Sequence, residues 1–285
     1  MSIEQMIEQI LSKHSAISRQ ELMERLEHRK QKTGGFITDE VLLRMVAAEL
    51  GVNVQGNGVL KPALFVADLV PNLSNVTVVG RVVAVFAPKT FNGSRSGKLA
   101  SFLIADKTGL LRVVLWNDKT RLVESGEIRL GQVVRVAHGY TKEGLGGKVE
   151  VHVGSKAEVE TELGGVAEDD FPTISRFTTK IAKIASSGKV NLEGAVEAVG
   201  AASTFVRPDS SEGKLLRFVL VDDSGRIPVV AWNEKVDELS CLLAGCSGLR
   251  LVEAKVRKGL NEGLEVHVDS GTFVEPFNVA GACRG

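Results

Sequence analysis

Aromatic rings are scarce in this chain. Its 285 residues include two tryptophans, one tyrosine and eleven phenylalanines, 5% aromatic in all, so the core must be largely aliphatic and each Trp stands out. Cysteine is scarcer than a disulfide framework needs. Cys241, Cys246 and Cys283 form no C-x-x-C pair and leave an odd count, which argues against a stapled secreted fold and against zinc, and for a reducing cytoplasm. No stretch approaches 18 apolar residues, and the opening Met-Ser-Ile-Glu-Gln has no basic start followed by an apolar run. The expectation is a soluble, cytoplasmic, non-exported protein. A nucleophile elbow, a phosphate-loop lysine motif and a paired-carboxylate motif are all missing, so a non-enzyme without cofactor or metal is expected.

Net charge is missing too, with 35 basic against 35 acidic residues. Yet the charge is unevenly spread. Val76 to Glu160 carries 13 Lys and Arg against 8 Asp and Glu, a net of +5, whereas Val190 to Pro276 carries 9 against 14, a net of −5.

What is present is a duplication. Gly97-Lys-Leu-x-x-Phe102-x-x-x-Asp106-x-x-Gly109 leads to Trp116-Asn117, and Gly213-Lys-Leu-x-x-Phe218-x-x-x-Asp222-x-x-Gly225 leads to Trp232-Asn233. The match extends from Thr90-Phe91 and Thr204-Phe205 upstream to Glu150-Val-His-Val153 and Glu265-Val-His-Val268 downstream. A unit of roughly 85 residues is too long for a solenoid repeat, whose period is about 20 to 50 residues, so these are tandem small domains.

Before them, Ile3, Met6, Ile7, Ile10 and Leu11 recur at helical spacing, Ser18-x-x-Glu21 reads as a capping box, and a third amphipathic stretch runs from Asp39 to Leu50. Residues 1–54 are therefore expected to form a three-helix unit, joined by a Gly-, Pro- and Asn-rich tether between Gly56 and Asn75. From Val76 the pattern turns to strands rich in β-branched residues, with Gly80, and Gly194 in the second copy, marking a bulge or bend. Five strands with one helix between the third and fourth is the plan of the OB-fold, a partly open Greek-key barrel. The predicted fold is mainly β: two tandem five-stranded OB-fold barrels, over residues 62–162 and 171–277, after the helical unit.

Alternation on the third strand puts Leu111, Val113 and Leu115 on the core face and Arg112, Val114 and Trp116 opposite them. The second copy puts Ile227, Val229 and Ala231 inside and Arg226, Val230 and Trp232 outside. A Trp beside a guanidinium on a barrel's outer surface suits sequence-tolerant base stacking; the bland alternative is that each Trp caps an end of the core. The first long loop adds cations around an aromatic, Lys89, Phe91, Arg95 and Lys98 in one copy and Phe205, Arg207, Lys214 and Arg217 in the other, suited to phosphates and a base or else to a solvated loop. Lys142 and Lys148, and Arg257 and Lys258, flank the last hairpin and either close over a strand or are solvated. Asp106 to Gly109 and Asp222 to Gly225 read as tight turns, and His152 and His267 as poor metal ligands.

The duplicated motif, followed by Val113-Val-Leu-Trp-Asn117, resembles the DNA-binding OB domains of replication protein A, the single-stranded DNA-binding protein of archaea and eukaryotes. The resemblance covers both repeats, and a helical N-terminal unit before two OB domains is similar to the single-polypeptide archaeal forms. It implies that Trp116 and Trp232 are stacking aromatics, that the loop cations contact phosphates, and that the partner is single-stranded DNA in replication, repair and recombination. It also leaves room for replication and repair proteins at the helical unit and for homo- or hetero-oligomers, with no membrane partner. The family's second stacking aromatic near the fifth strand has no Phe, Tyr or Trp counterpart here; Tyr140 is a substitute in the first copy, where the second has Lys255. The competing reading is an OB-fold assembly module that binds protein partners.

Overall fold

In the computed structural model the described residues are 3–14, 17–32, 39–50, 63–92, 96–144, 146–163, 168–259 and 263–278. The chain divides into two compact units, one holding the helices and the other both barrels.

The helical unit consists of α1 (Ile3–Lys13), α2 (Arg19–Lys32) and α3 (Asp39–Glu49). Ser18 caps α2, its Oγ accepting the Glu21 N–H at 3.1 Å, and Glu21 pairs with Arg25 one turn on. Ile7, Ile10, Leu22, Leu26, Leu42, Leu43 and Val46 close a core among the three helices, as the helical spacing predicts.

The first barrel is built from β1 (Val76–Phe91), β2 (Gly97–Ala105), β3 (Leu110–Trp116), a short helix α4 (Arg121–Glu124), β4 (Val133–Glu143) and β5 (Val149–Val153), with β6 (Glu158–Glu160) added beside β4. The strands pair β1-β2-β3-β5-β4 and β4 returns to β1, so the sheet closes. Closure requires β1 to serve both neighbours. Its first half pairs with β4 and its second with β2, and Arg81 is in register with both Val133 and Ala105. At the crossing sits Gly80, where a Cβ would lie 3.0 Å from the Ala105 carbonyl oxygen.

The second barrel repeats the plan with β7 (Gly188–Glu197), β8 (Ser203–Val206), β9 (Glu212–Asp222), β10 (Gly225–Trp232), α5 (Glu234–Leu243), β11 (Gly248–Lys258) and β12 (Leu264–Val268), plus β13 (Phe273–Phe277) beside β11. Pairings β7-β9-β10-β12-β11 and back to β7 close it. Gly194 takes the place of Gly80, with Val221 O only 2.6 Å from where its Cβ would be. The fold class read from the sequence is borne out, with β6, β8 and β13 beyond the expected five strands. Each core is aliphatic around one buried phenylalanine, Phe102 or Phe218.

The Asp-x-x-Gly turns do more than reverse the chain. Asp106 Oδ1 accepts the Thr108 and Gly109 N–H groups, while Oδ2 accepts the Val66 N–H at 2.8 Å. Asp222 does the same with Ser224, Gly225 and Ile181; burial opposes its charge, but these bonds hold its carboxyl below the usual range. Each Asp thereby straps a preceding segment onto its barrel, and Leu69 on the first strap enters the core. Of the expected tether between Gly56 and Asn75, residues 63–75 are thus part of the barrel surface, and residues 56–62 lie outside the described residues.

The barrels meet along an apolar seam of Val83, Ala84, Phe86, Leu103 and Ala105 from the first, Ile174 between them, and Val252 from the second, with Phe86 and Phe273 edge to face at 6.5 Å. A bulge in β11 creates it. Register slips between Leu251 and Ala254, Glu253 adopts a φ of 58°, and its N–H is held by the Asn191 Oδ1 at 2.9 Å. The bulge drives the Glu253 carboxylate against Arg112 of the first barrel, with Lys189 2.8 Å from the same oxygen. Burial opposes that charge, but Arg112 and Lys189 hold the carboxyl below the usual range.

Glu253→Ala should leave half-buried Arg112 without its close carboxylate partner across the seam and destabilise the two-barrel unit by about 2 kcal/mol or more, read as earlier proteolysis between residues 168 and 187 with both barrels still folded. Because the Glu253 carboxyl is depressed in the folded state, its contribution is full above the ordinary carboxylate range and is lost as pH falls through its lowered pKa. A proteolysis pattern identical to that of the unaltered protein would refute the role given to this pair.

Candidate nucleic-acid interface

On β3 Leu111, Val113 and Leu115 are buried in the core, and on β10 Ile227, Val229 and Ala231; Val114 and Val230, expected on the outer face, are buried as well. Trp116 and Trp232 end these strands half-buried. The Asn that follows each Trp has a positive φ, 48° at Asn117 and 51° at Asn233, so the chain leaves the extended strand conformation there. Its Oδ1 faces back to the N–H of Lys98 or Lys214. The Trp-Asn dipeptide is therefore a strand end that turns the chain while leaving the indole on the outer face.

The glycine that opens each motif is a seat for a ring. Phe91 lies opposite Gly97, and Phe205 opposite Gly213. A Cβ on Gly97 would come within 2.5 Å of the Phe91 ring, and one on Gly213 within 2.4 Å of the Phe205 ring. Seated there, each phenyl meets its Trp edge to face, with centroids 5.9 Å apart in both barrels.

On the other side of the indole stands a histidine. Trp116 Nε1 donates to His152 Nδ1 at 3.0 Å, and Trp232 Nε1 to His267 Nδ1 at 2.9 Å. The planes are within 19° of parallel in both pairs, with centroids 5.9 and 5.7 Å apart. The indole can only donate, so Nδ1 accepts and the imidazole proton sits on Nε2. That atom faces Glu150 at 3.6 Å or Glu265 at 2.9 Å. Burial, aided by Lys142, pushes His152 down to about 4, so it is neutral at physiological pH. In the first barrel Tyr140 continues the row, 5.3 Å from His152. In the second, Lys255 stands opposite His267 and bonds Asp269 at 2.6 Å.

The expected cations fall into three groups. Lys142, Lys148, Arg257 and Lys258 are exposed around the β4–β5 and β11–β12 hairpins, Lys142 lying 5.4 Å from the Tyr140 ring. Lys89 is exposed near the seam, 3.3 Å from Ser270. Others face carboxylates: Lys98 with Glu124, Lys214 with Asp237 at 2.9 Å and Arg217 with Glu265 at 3.5 Å. Arg226 pairs with Glu197, six residues or about 20 Å along β10 from Trp232. Arg207 folds over Phe205 and bonds Asn233 and the Glu212 carbonyl. Arg95 lies outside the described residues.

Arg112 departs from its expected place on an open groove. Its side chain is 18% exposed, lies 4.4 Å from the Phe86 ring, and donates to Ser101 as well as pairing with Glu253. The second barrel covers the face it projects from. Counting from the tryptophans, its counterpart is Pro228, not Arg226. Sequence reasoning also set aside His152 and His267, because it weighed them as metal ligands. The usable signal was their matched position in the repeated Glu-Val-His-Val. Among the described residues no cluster of three or more His, Cys, Asp or Glu could hold a metal, and no helix is long and apolar enough to cross a membrane.

Comparison with known proteins agrees with this architecture. A family model described as the OB-fold nucleic acid binding domain matches residues 76–157. Replication factor A of Methanothermobacter thermautotrophicus is 28% identical over 228 residues, 78% of this chain, and the chain spans only 28% of that relative's length. A replication protein A heterotrimer bound to single-stranded DNA superposes with a TM-score of 0.55 over 77% of this chain and 52% of that one, at 15% identity, a likeness of fold. A replication factor A related protein from Methanobacterium thermoautotrophicum is 33% identical over 36% of this chain and 92% of its own, with a TM-score of 0.32. The resemblance carried by the duplicated motif is borne out: the chain carries an OB-fold nucleic acid binding domain and is similar to an archaeal replication factor A.

Proposed function

We propose that this chain binds single-stranded DNA, coating and protecting it in replication, repair and recombination, as a non-enzymatic cytoplasmic protein associated with the nucleoid. The observation that carries the reading is the duplicated row of Phe, Trp and His on the outer face of each barrel, beside exposed hairpin cations. A base offers a π-face whatever its identity, and a phosphate offers charge whatever its neighbours. Because each indole N–H already bonds a histidine, the tryptophans have no donor left to read base edges, which favours binding without strong sequence preference. The named relatives support the choice of ligand: one is a replication factor, and one solved relative is bound to single-stranded DNA. Further subunits, and replication and repair proteins at the helical unit, complete the proposal.

The assembly-module reading draws on one feature of the second barrel, whose cations Lys214, Arg217, Arg226 and Lys255 all face carboxylates. Titration of labelled single-stranded DNA, RNA and duplex separates the two, since an assembly module shows only weak binding to all three.

Trp116→Ala should weaken single-stranded DNA binding by about 1 to 3 kcal/mol, the value of one stacked base, and Trp232→Ala by less. Unchanged affinity in both variants, with native circular dichroism, would remove the stacking assignment.

Each phosphate neutralised on a single strand contributes a slope of about −0.7 to log affinity against log salt. Replacing Lys142 and Lys148 together by Gln should therefore flatten the slope by about 1.4, and more than the same change at Arg257 and Lys258, which lie in the acidic repeat. Equal flattening by both pairs would contradict the first barrel's leading role.

Chelator treatment should change neither melting temperature nor DNA affinity. Stoichiometric zinc in purified protein would overturn that.

A further inference from the structure

The same three-residue arrangement recurs in two barrels that otherwise differ in charge and in their contacts. In each, a carboxylate faces imidazole Nε2 and an indole donates to imidazole Nδ1. An N–H···N bond of 2.9 to 3.0 Å between near-parallel rings runs edge to edge. The two rings of each pair therefore lie side by side, forming a flat surface wider than an indole alone.

We propose that His152 and His267 are positioning residues for the tryptophans, each accepting the indole N–H and fixing indole and imidazole as one flat platform for a nucleobase. The inference rests on the DNA-binding reading and deepens it. An indole held only by van der Waals contact can rotate about its two side-chain torsions, and ordering it on binding costs free energy. Here that order exists before the ligand arrives. The phenyl seated on Gly97 or Gly213 meets one side of the indole, the histidine bonds its N–H edge, and the remaining face is left to stack.

Charged and aromatic groups face each imidazole from the neighbouring strands. Around His152 stand Trp116 from β3, Tyr140 and Lys142 from β4, and Glu150 from β5, with Arg112 at 3.9 Å behind that carboxylate. Around His267 stand Trp232 from β10, Lys255 from β11 with its ammonium on Asp269, and Glu265 from β12 backed by Arg217 from β9. Glu265 bonds His267 Nε2 at 2.9 Å and Glu150 faces His152 Nε2 at 3.6 Å, so in both pairs Nδ1 is the atom left to accept the indole N–H.

A double-substitution cycle in the full chain tests this. Trp116→Phe keeps an aromatic face and removes the N–H; His152→Leu removes the acceptor; the third variant carries both. With a fluorescein-labelled oligothymidylate, His152→Leu should weaken binding about 3- to 10-fold, the range of one net hydrogen bond. In the Trp116→Phe background the same substitution should have almost no further effect, because the two act as one unit. His152→Asn, whose carboxamide oxygen can stand near the Nδ1 position, should recover most of the affinity. The Trp116 indole N–H resonance should move upfield in His152→Leu and stay in His152→Asn. Losses that add in the double variant, or an indole resonance unmoved by His152→Leu, would overturn the positioning role. Absence of oligothymidylate binding by the unaltered protein would instead sink the DNA-binding reading, with the resonance still reporting whether the pair forms.

Discussion

Everything on the outer face depends on closing each barrel, and closure depends on a strand that can belong to two neighbours. β1 and β7 each leave one partner for another within a few residues, so the backbones of three strands converge at one point. With Val221 O 2.6 Å from where a Cβ of Gly194 would lie, only glycine fits there without moving the facing strand. A barrel closed this way has few free edges, and its outer face is held in fixed register. The registers Trp116 with Leu99, Val114 with His152 and Tyr140 with His152 then place the rings in one row. The row is thus a consequence of β-pairing rather than of local sequence, and that is why its neighbours Phe91 and Trp116, Trp116 and His152, and Tyr140 and His152 lie 25, 36 and 12 residues apart in the chain without any motif linking them.

A second constraint acts at short range. A phenyl ring laid across a facing strand needs a residue with no side chain beneath it, and Gly97 and Gly213 provide that seat. The motif read in the sequence as Gly-Lys-Leu is, physically, a seat for the ring of the preceding strand. The rest of the motif resolves likewise: Asp straps the entering segment and caps its turn, the buried Phe fills the core, and Trp-Asn ends the strand. Two copies with the same spacings keep the same geometry to within 0.2 Å in the Trp to His contacts.

What the sequence made legible follows from this. Periodicity located the helices and strands because the cores are aliphatic, with Leu111, Val113 and Leu115 on the inner face of β3. The strap before β1 read as a tether because the Gly, Pro and Asn content of the stretch outweighs its anchors Val66, bonded to Asp106 40 residues away, and Leu69, set in the barrel core. The fate of Arg112 was equally hidden. Its face alternates as an exposed face should, and only the docking of the other barrel, a contact across 141 residues, covers it. The histidines were visible as a matched pair, but a lone imidazole suggests metal or nothing until its neighbour is known to be an indole N–H.

The seam also explains why two near-copies are not interchangeable. Docking places a bulge of the second barrel against the third strand of the first, a heterologous contact that identical repeats could extend indefinitely. The residues at the two unused ends forbid it. Where the second barrel presents Glu253, the first has His138, also at a positive φ but bonded to Asn75. Where the first barrel presents Arg112 and Leu110, the second has Pro228 and Arg226, the latter held by Glu197. A third barrel would meet a proline where it needs a guanidinium and a charge where it needs an apolar contact. The copies therefore differ at the seam, while the Phe, Trp and His of the row keep their mutual geometry.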